Sequence, residues 1–281
     1  MNATGASERL PRSLSNLTLR VLTALVTLPV IFGVLFFSPV YGIRILVLIV
    51  VALGCAEIGS FALEGSRTWR RYSPAFFGPV ASAGVFLFPA FPVYSIACLA
   101  ALPLIVFLVH AGDERGFAAA VQSAAFTLFI SLYVGGLLAF LSLTTAQNDG
   151  RWWGFMLLST TFISDTSAYF TGRTLGKRPL APGISPKKTW EGAIGGVVFV
   201  TIWTAAAKVL FLPSLLWSDI LLFGLAASFL CQSGDLFMSM LKRRFGAKDS
   251  GSILPGHGGI MDRLDAMLFV SPLVYAFSIV R

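Results

Sequence analysis

The chain has 281 residues, of which 56% are hydrophobic and only 12% charged. A soluble globular domain carries about 25% charged residues, so the composition points to an integral membrane protein and leaves no need for a soluble domain. Nothing in it resembles a long linker, a repeat array or a low-complexity tail. The net charge of +8 would suggest nucleic acid as a partner in a soluble protein. Here the basic residues fall in short loops, where they set orientation in the bilayer and meet phosphate-bearing ligands.

In chain order, residues 1–17 form a polar segment, expected on the cytoplasmic side and loosely ordered. A single transmembrane helical domain over 18–281 follows. A helix needs about 20 apolar residues to cross the hydrocarbon core, and about nine runs qualify: 18–37, 41–63, 74–90, 93–110, 117–143, 151–171, 190–212, 215–240 and 260–280. The first lacks an A-x-A exit and reads as a retained span rather than a cleaved leader. The third is weakened by Pro79, Pro89 and Pro92, so it and the fourth could instead form a re-entrant hairpin. A sheet is not expected, because the runs are continuously apolar rather than alternating. The fold class is therefore an all-α polytopic membrane protein. Cys55, Cys98 and Cys231 lie inside apolar runs and read as small buried hydrophobes.

Lysine and arginine give the sidedness. With the N-terminus cytoplasmic, all of the 21 Lys and Arg residues except Arg44, Arg151, Lys208 and Arg281 fall in or beside cytoplasmic segments. This predicts a cytoplasmic N-terminus and a C-terminus on the opposite face. Trp152, Trp153 and Trp190 read as interface anchors, and Gly192, Gly195 and Gly196 as a small-residue packing surface.

Carboxylates within spans are costly and mark function by default. Asp165 lies in TFISDTSAYFTGR, Asp235 in CQSGDLFMSMLKRR, Glu191 in PKKTWEGAIGG, and Asp262 and Asp265 in GHGGIMDRLD. Under the predicted sidedness they share one depth near the cytoplasmic face. Asp262 and Asp265 are spaced i, i+3 and lie on one helix face. Gly258 and Gly259 precede them, beside a helix start whose N–H groups attract anions. Converging carboxylates repel unless a hard cation such as Mg²⁺ neutralises them. Lys187, Lys188, Lys242, Arg243 and Lys248 sit above them. Acids below and bases above suit a metal-bound polyphosphate. Taken singly, Asp262 or Glu191 reads equally as a helix-start acid, and each basic residue as a topology signal. His257 alone is weak evidence for a metal.

The run SMLKRRFGAKDSGSILPGHGGIMDRLD, Ser239 to Asp265, resembles the signature of the CDP-diacylglycerol synthases, or phosphatidate cytidylyltransferases. That signature reads S-x-hydrophobic-K-R, then K-D, then H-G-G-hydrophobic-x-D-R-hydrophobic-D. It is matched at Ser239, Lys242, Arg243, Lys248, Asp249, His257, Gly258, Gly259, Asp262, Arg263 and Asp265. The segments SDTSAYFTGRTLGK, ISPKKTWEG and QSGDLFMS are also similar to that family, which places the motifs within 164–265. The first five spans match only in being apolar.

The resemblance implies that phosphatidic acid attacks the α-phosphorus of CTP, giving CDP-diacylglycerol and pyrophosphate with Mg²⁺ as cofactor, a second cation being left open. It implies Asp235, Asp262 and Asp265 as metal ligands, with Asp165 beside them. Lys187, Lys188, Lys242, Arg243 and Lys248 would take the CTP phosphates, Arg263 the lipid phosphate, and His257 either phosphate or the Gly-Gly turn. The partners are CTP, phosphatidic acid and membrane lipid, without nucleic acid, and a homodimer is admissible. The expected location is a bacterial inner membrane, with the site facing the cytoplasm. A CTP-dependent lipid kinase and a cation-coupled transporter are the rival classes. The acids near one face and the absence of an inverted repeat argue against the transporter.

Overall fold

The computed structural model describes residues 16–64, 68–87, 102, 105–106, 117–253 and 258–281. His257, Cys98, Pro89, Pro92, most of the candidate span at 93–110 and nearly all of the polar N-terminal segment lie outside the described residues. Continuous apolar sequence becomes helix because inside a bilayer each backbone N–H and C=O must find its partner within the segment. The helices are α1 (Asn16–Phe37), α2 (Val40–Ala62), α3 (Thr68–Leu87), α4 (Phe117–Thr145), α5 (Gly150–Leu175), α6 (Trp190–Leu210), α7 (Trp217–Arg244) and α8 (Met261–Val280). By length and composition α2, α4, α6, α7 and α8 can each cross a membrane. Their lipid-facing surfaces remain apolar: Leu221, Leu222, Leu225 and Phe229 on α7 are all exposed. The chain is an integral membrane protein built of helices.

Three features depart from expectation. α3 starts at Thr68 rather than 74 and carries both Pro74 and Pro79 within it, so these prolines do not end the helix. The polar loop between α5 and α6 forms a small antiparallel hairpin, β1 (Pro179–Ala181) with β2 (Ser185–Thr189). No sheet was expected; this one is short, polar and outside the apolar runs. Trp153 is 1% exposed and belongs to the core, not the interface, whereas Trp152 and Trp190 are open.

Polar contacts define two ends of the bundle. At one end Arg151 donates to the Phe36 carbonyl at 2.7 Å. At the same end Arg281 grips Asp219 at 2.6 and 2.9 Å, and Lys208 donates to the Leu215 carbonyl. Asp219 also accepts the Leu216 N–H at 2.8 Å, which caps the start of α7. α5 and α7 begin at this end, and α1, α6 and α8 finish there. The opposite end therefore collects the finish of α5 and α7 with the start of α6 and α8.

Glycines bring the site helices close. A Cβ at Gly234 would lie 2.3 Å from the Asp265 carbonyl oxygen, so α7 and α8 touch backbone to backbone beside Asp235 and Asp265. Gly195 meets Thr171 in the same way and presses α6 onto α5. α4 contains a π-helical turn, Ser131–Gly136. Such a turn loosens regular carbonyl pairing, and Ser82 on α3 donates to the Gly135 carbonyl at 2.6 Å.

Gly234→Ala should therefore lower thermal stability in detergent by about 1–3 kcal/mol through forced separation of α7 and α8. Gly136→Ala, where nothing stands within 4 Å of the new methyl, should leave it unchanged or raise it slightly through helix propensity. Equal melting temperatures for the two variants would contradict the crossing described here.

Candidate active site

Four helices and the hairpin surround a cavity of about 630 Å³ at the end where α5 and α7 finish. α5 contributes Asp165, Tyr169 and Arg173; α7 contributes Gln232 and Asp235; α8 contributes Asp262, Arg263 and Asp265. Lys187 and Lys188 enter from β2, and Gly192 and Ala193 from the first turns of α6. Thr189 caps α6 by accepting the Gly192 N–H at 3.1 Å. The carboxylates separated by up to a hundred residues (Asp165 to Asp265) thus line one cavity, together with three of the expected basic residues.

Local sequence explains these placements. α7 ends in a Schellman turn: the Gly246 N–H donates to the Arg243 carbonyl at 3.2 Å and the Ala247 N–H to the Lys242 carbonyl at 2.9 Å. Gly246 has φ +69, a conformation costly for residues with a Cβ. Phe245 then packs against Phe61 of α2 and Phe126 of α4 at ring distances of 6.1 and 5.3 Å. The chain is thereby turned back towards the start of α8.

Two ion pairs hold the acids. Lys188 Nζ lies 2.5 Å from Asp235 Oδ2, and Lys242 Nζ lies 2.5 Å from Asp262 Oδ1. Asp262 also accepts the Ser250 N–H at 3.0 Å, and Ser239 donates to Asp235 Oδ1 at 3.4 Å. Asp265 is 8% exposed. It accepts the Ala266 N–H at 2.8 Å and has no ion pair among the described residues. Arg243 and Lys248 are exposed and do not line the cavity. His257 falls outside the described residues.

Among the described residues no three acid, histidine or cysteine side chains stand close enough together to chelate one ion. The donor set nevertheless fits magnesium. These are hard carboxylate oxygens, and Mg²⁺ characteristically uses one or two carboxylates with waters and substrate phosphates. Asp265, buried without a cation among the described residues, is the group most in need of one.

Sequence reasoning left Glu191 open between two roles. Its Oε2 accepts the Lys177 and Arg178 N–H groups at 3.0 and 3.2 Å, so it ties the chain leaving α5 to the start of α6 and braces the hairpin. The helix start of α8 is not the open anion site expected from Gly258 and Gly259. The Ile260 and Met261 N–H groups are taken by Glu57 of α2, each at 3.0 Å. Glu57 escaped the sequence reading although a visible signal existed, a lone carboxylate inside the apolar run IVVALGCAEIG.

A helical membrane protein with acids and ammonium groups around a cavity at one end defines the class: a membrane protein built to handle anionic ligands at the bilayer edge. The chain belongs to the cytidylyltransferase family, whose model matches residues 18–280. It is similar to the phosphatidate cytidylyltransferases of Bacillus subtilis, 36% identical over 64% of this chain, and Staphylococcus saprophyticus, 40% identical over 54%. The phosphatidate cytidylyltransferase of Brucella abortus is 43% identical over 52% of the chain. The chain spans 66%, 58% and 54% of those relatives' own lengths.

Glu191→Ala should free the hairpin without unfolding the bundle. Limited trypsin digestion in detergent should then cut faster at Lys177, Arg178, Lys187 and Lys188, with the melting temperature changed by less than about 1 kcal/mol equivalent. An unchanged digestion pattern would show that Glu191 does not hold the hairpin.

Proposed function

We propose that this protein is a phosphatidate cytidylyltransferase: it joins phosphatidic acid to CTP, forming CDP-diacylglycerol and pyrophosphate in phospholipid biosynthesis. The observation that carries this reading is the cavity shared by Asp165, Asp235, Asp262 and Asp265 with Lys187, Lys188 and Arg263. The names of the relatives support the same activity. A phosphate oxygen of phosphatidic acid attacks the α-phosphorus of CTP, a new P–O bond forms, and the bond from that phosphorus to the bridging oxygen of pyrophosphate breaks. The nucleophile is already anionic at neutral pH, so no general base is assigned.

The barrier to this displacement is mainly the meeting of two anions, which positioning and charge neutralisation lower. Mg²⁺ held by Asp235, Asp262 and Asp265, with or without a second cation, supplies Lewis-acid neutralisation of the phosphate oxygens. Asp165 lies across the cavity and orients what those carboxylates bind. Lys187 and Lys188 on the hairpin hold the CTP phosphates and the departing pyrophosphate. Lys188 and Lys242 can serve phosphate only by leaving Asp235 and Asp262, so metal and nucleotide binding are coupled through these two lysines. Arg243 and Lys248, outside the cavity, attract the nucleotide at longer range, and His257 serves phosphate or the turn at Gly258. Arg263 faces the lipid phosphate.

A shallow site at the bilayer edge suits one soluble and one lipid substrate. We place it on the cytoplasmic side of a bacterial inner membrane, with the N-terminus cytoplasmic and the C-terminus opposite. The clustering of lysine and arginine at the cavity end supports this. The partners are CTP, phosphatidic acid and lipid, with no nucleic acid, and a second copy of the chain is compatible with the site.

Purified protein given phosphatidic acid, CTP and Mg²⁺ should release pyrophosphate and CDP-diacylglycerol in equal amounts. CDP with no pyrophosphate would instead indicate a lipid kinase. Asp235→Asn and Asp262→Asn should each lower turnover by about 100-fold or more. Near wild-type activity at low Mg²⁺ in either variant would remove that residue from the ligand set.

A further inference from the structure

Glu57 lies in the apolar middle of α2's second half and is 4% exposed. A carboxylate so buried costs several kcal/mol unless its oxygens are satisfied. Three donors meet it. Oε1 accepts the Ile260 N–H at 3.0 Å, and Oε2 accepts the Met261 N–H at 3.0 Å and the Ser250 hydroxyl at 3.2 Å. The two amides belong to the start of α8, where unpaired N–H groups and the helix dipole favour negative charge. An acid on one helix thus caps another helix more than two hundred residues further along the chain.

The same contacts lead into the cavity. Ser250, 2% exposed, joins two carboxylates: its hydroxyl holds Glu57 and its backbone N–H holds Asp262 Oδ2 at 3.0 Å. Asp265 lies on the helix whose first amides Glu57 grips. The surroundings leave no slack. A Cβ at Gly251 would stand 2.5 Å from Glu57 Oε1, and one at Gly259 would stand 1.9 Å from Ser250 Oγ and 2.7 Å from Glu57 Oε2. A Cβ at Gly54, nearly one turn earlier on α2, would meet Met261 Sδ at 2.6 Å. Two loop glycines and one helix glycine bring backbone around this carboxylate and the start of α8.

We propose that Glu57 is a positioning residue of the active site. Without touching substrate, it sets the rotation of α8 and the turn at Ser250, and so aims Asp262 and Asp265 into the cavity. The role rests on reading that cavity as a metal–nucleotide site.

The test uses the full chain in detergent. Glu57→Gln keeps the shape but presents an amide N–H₂ to at least one of the three donors. The protein should stay folded, with hydrogen–deuterium exchange accelerated in the segment 248–263 and unchanged in α5 and α6. Mn²⁺ affinity, read by electron paramagnetic resonance, and kcat should each fall by about 10- to 100-fold, as for other groups that orient metal ligands. The KM for phosphatidic acid should stay within about twofold, because only binding shared by ground and transition states moves KM alone. Ser250→Ala cuts the hydroxyl link while keeping the N–H on Asp262, and should give the same local signature more weakly.

Turnover and Mn²⁺ affinity near wild type in Glu57→Gln would overturn the proposal. So would exchange raised evenly through the bundle, or loss of fold in both variants, since Glu57 would then serve folding alone. A wild-type protein that makes no CDP-diacylglycerol would overturn the reaction assigned above; one that binds no Mn²⁺ would overturn the metal site. Local exchange at 248–263 in the two variants decides the Glu57 proposal in either case.

Discussion

Buried carboxylates in a membrane bundle must find hydrogen bonds or counter-charge, and most of this protein's polar architecture follows from how each one does so. Asp219 takes Arg281 and a helix N-terminus. Glu57 takes another helix N-terminus and a serine. Asp235 and Asp262 take lysines. The first two arrangements are closed, made of groups with nothing further to bind. The last two are open to the cavity and use side chains long and flexible enough to let go. On the function proposed above, that difference separates the scaffold from the reacting end.

The closed arrangements also explain how an apolar bundle holds a polar cavity in shape. Helix packing without a hydrophobic driving force relies on close backbone approach at small residues. Gly234 against Asp265 and Gly195 against Thr171 are such approaches, and both lie beside cavity residues. They fix the spacing of α7 with α8 and of α5 with α6. Glu57 adds a polar tie from α2, and Glu191 anchors the hairpin that carries Lys187 and Lys188. The cavity wall is thus tied on every side by a backbone group rather than by a mobile side chain.

Much of this was legible in the chain. Apolar run length located the helices closely, since the bilayer admits few other solutions. Asp165, Asp235, Asp262 and Asp265 stood out because acids are rare in such runs, and all four line one cavity. The signature between Ser239 and Asp265 indicated the family. Glu57 had the same signal but lay far from the motifs, where sequence proximity gives no reason to connect it with them. Trp153 looked like an interface residue because tryptophan is common there, yet it is packed inside.

The sequence by itself determined that this is a helical membrane protein, where its helices run, and which acids and bases cost too much to be incidental. Those are properties of composition along the chain, and the bilayer reads them one segment at a time. Only the tertiary structure decided which groups pair: Lys188 with Asp235, Lys242 with Asp262, and Glu57 with the start of α8. The N–H groups that seemed free to bind an anion are held by an acid from another helix, because pairing depends on distances across the bundle that no local spacing encodes.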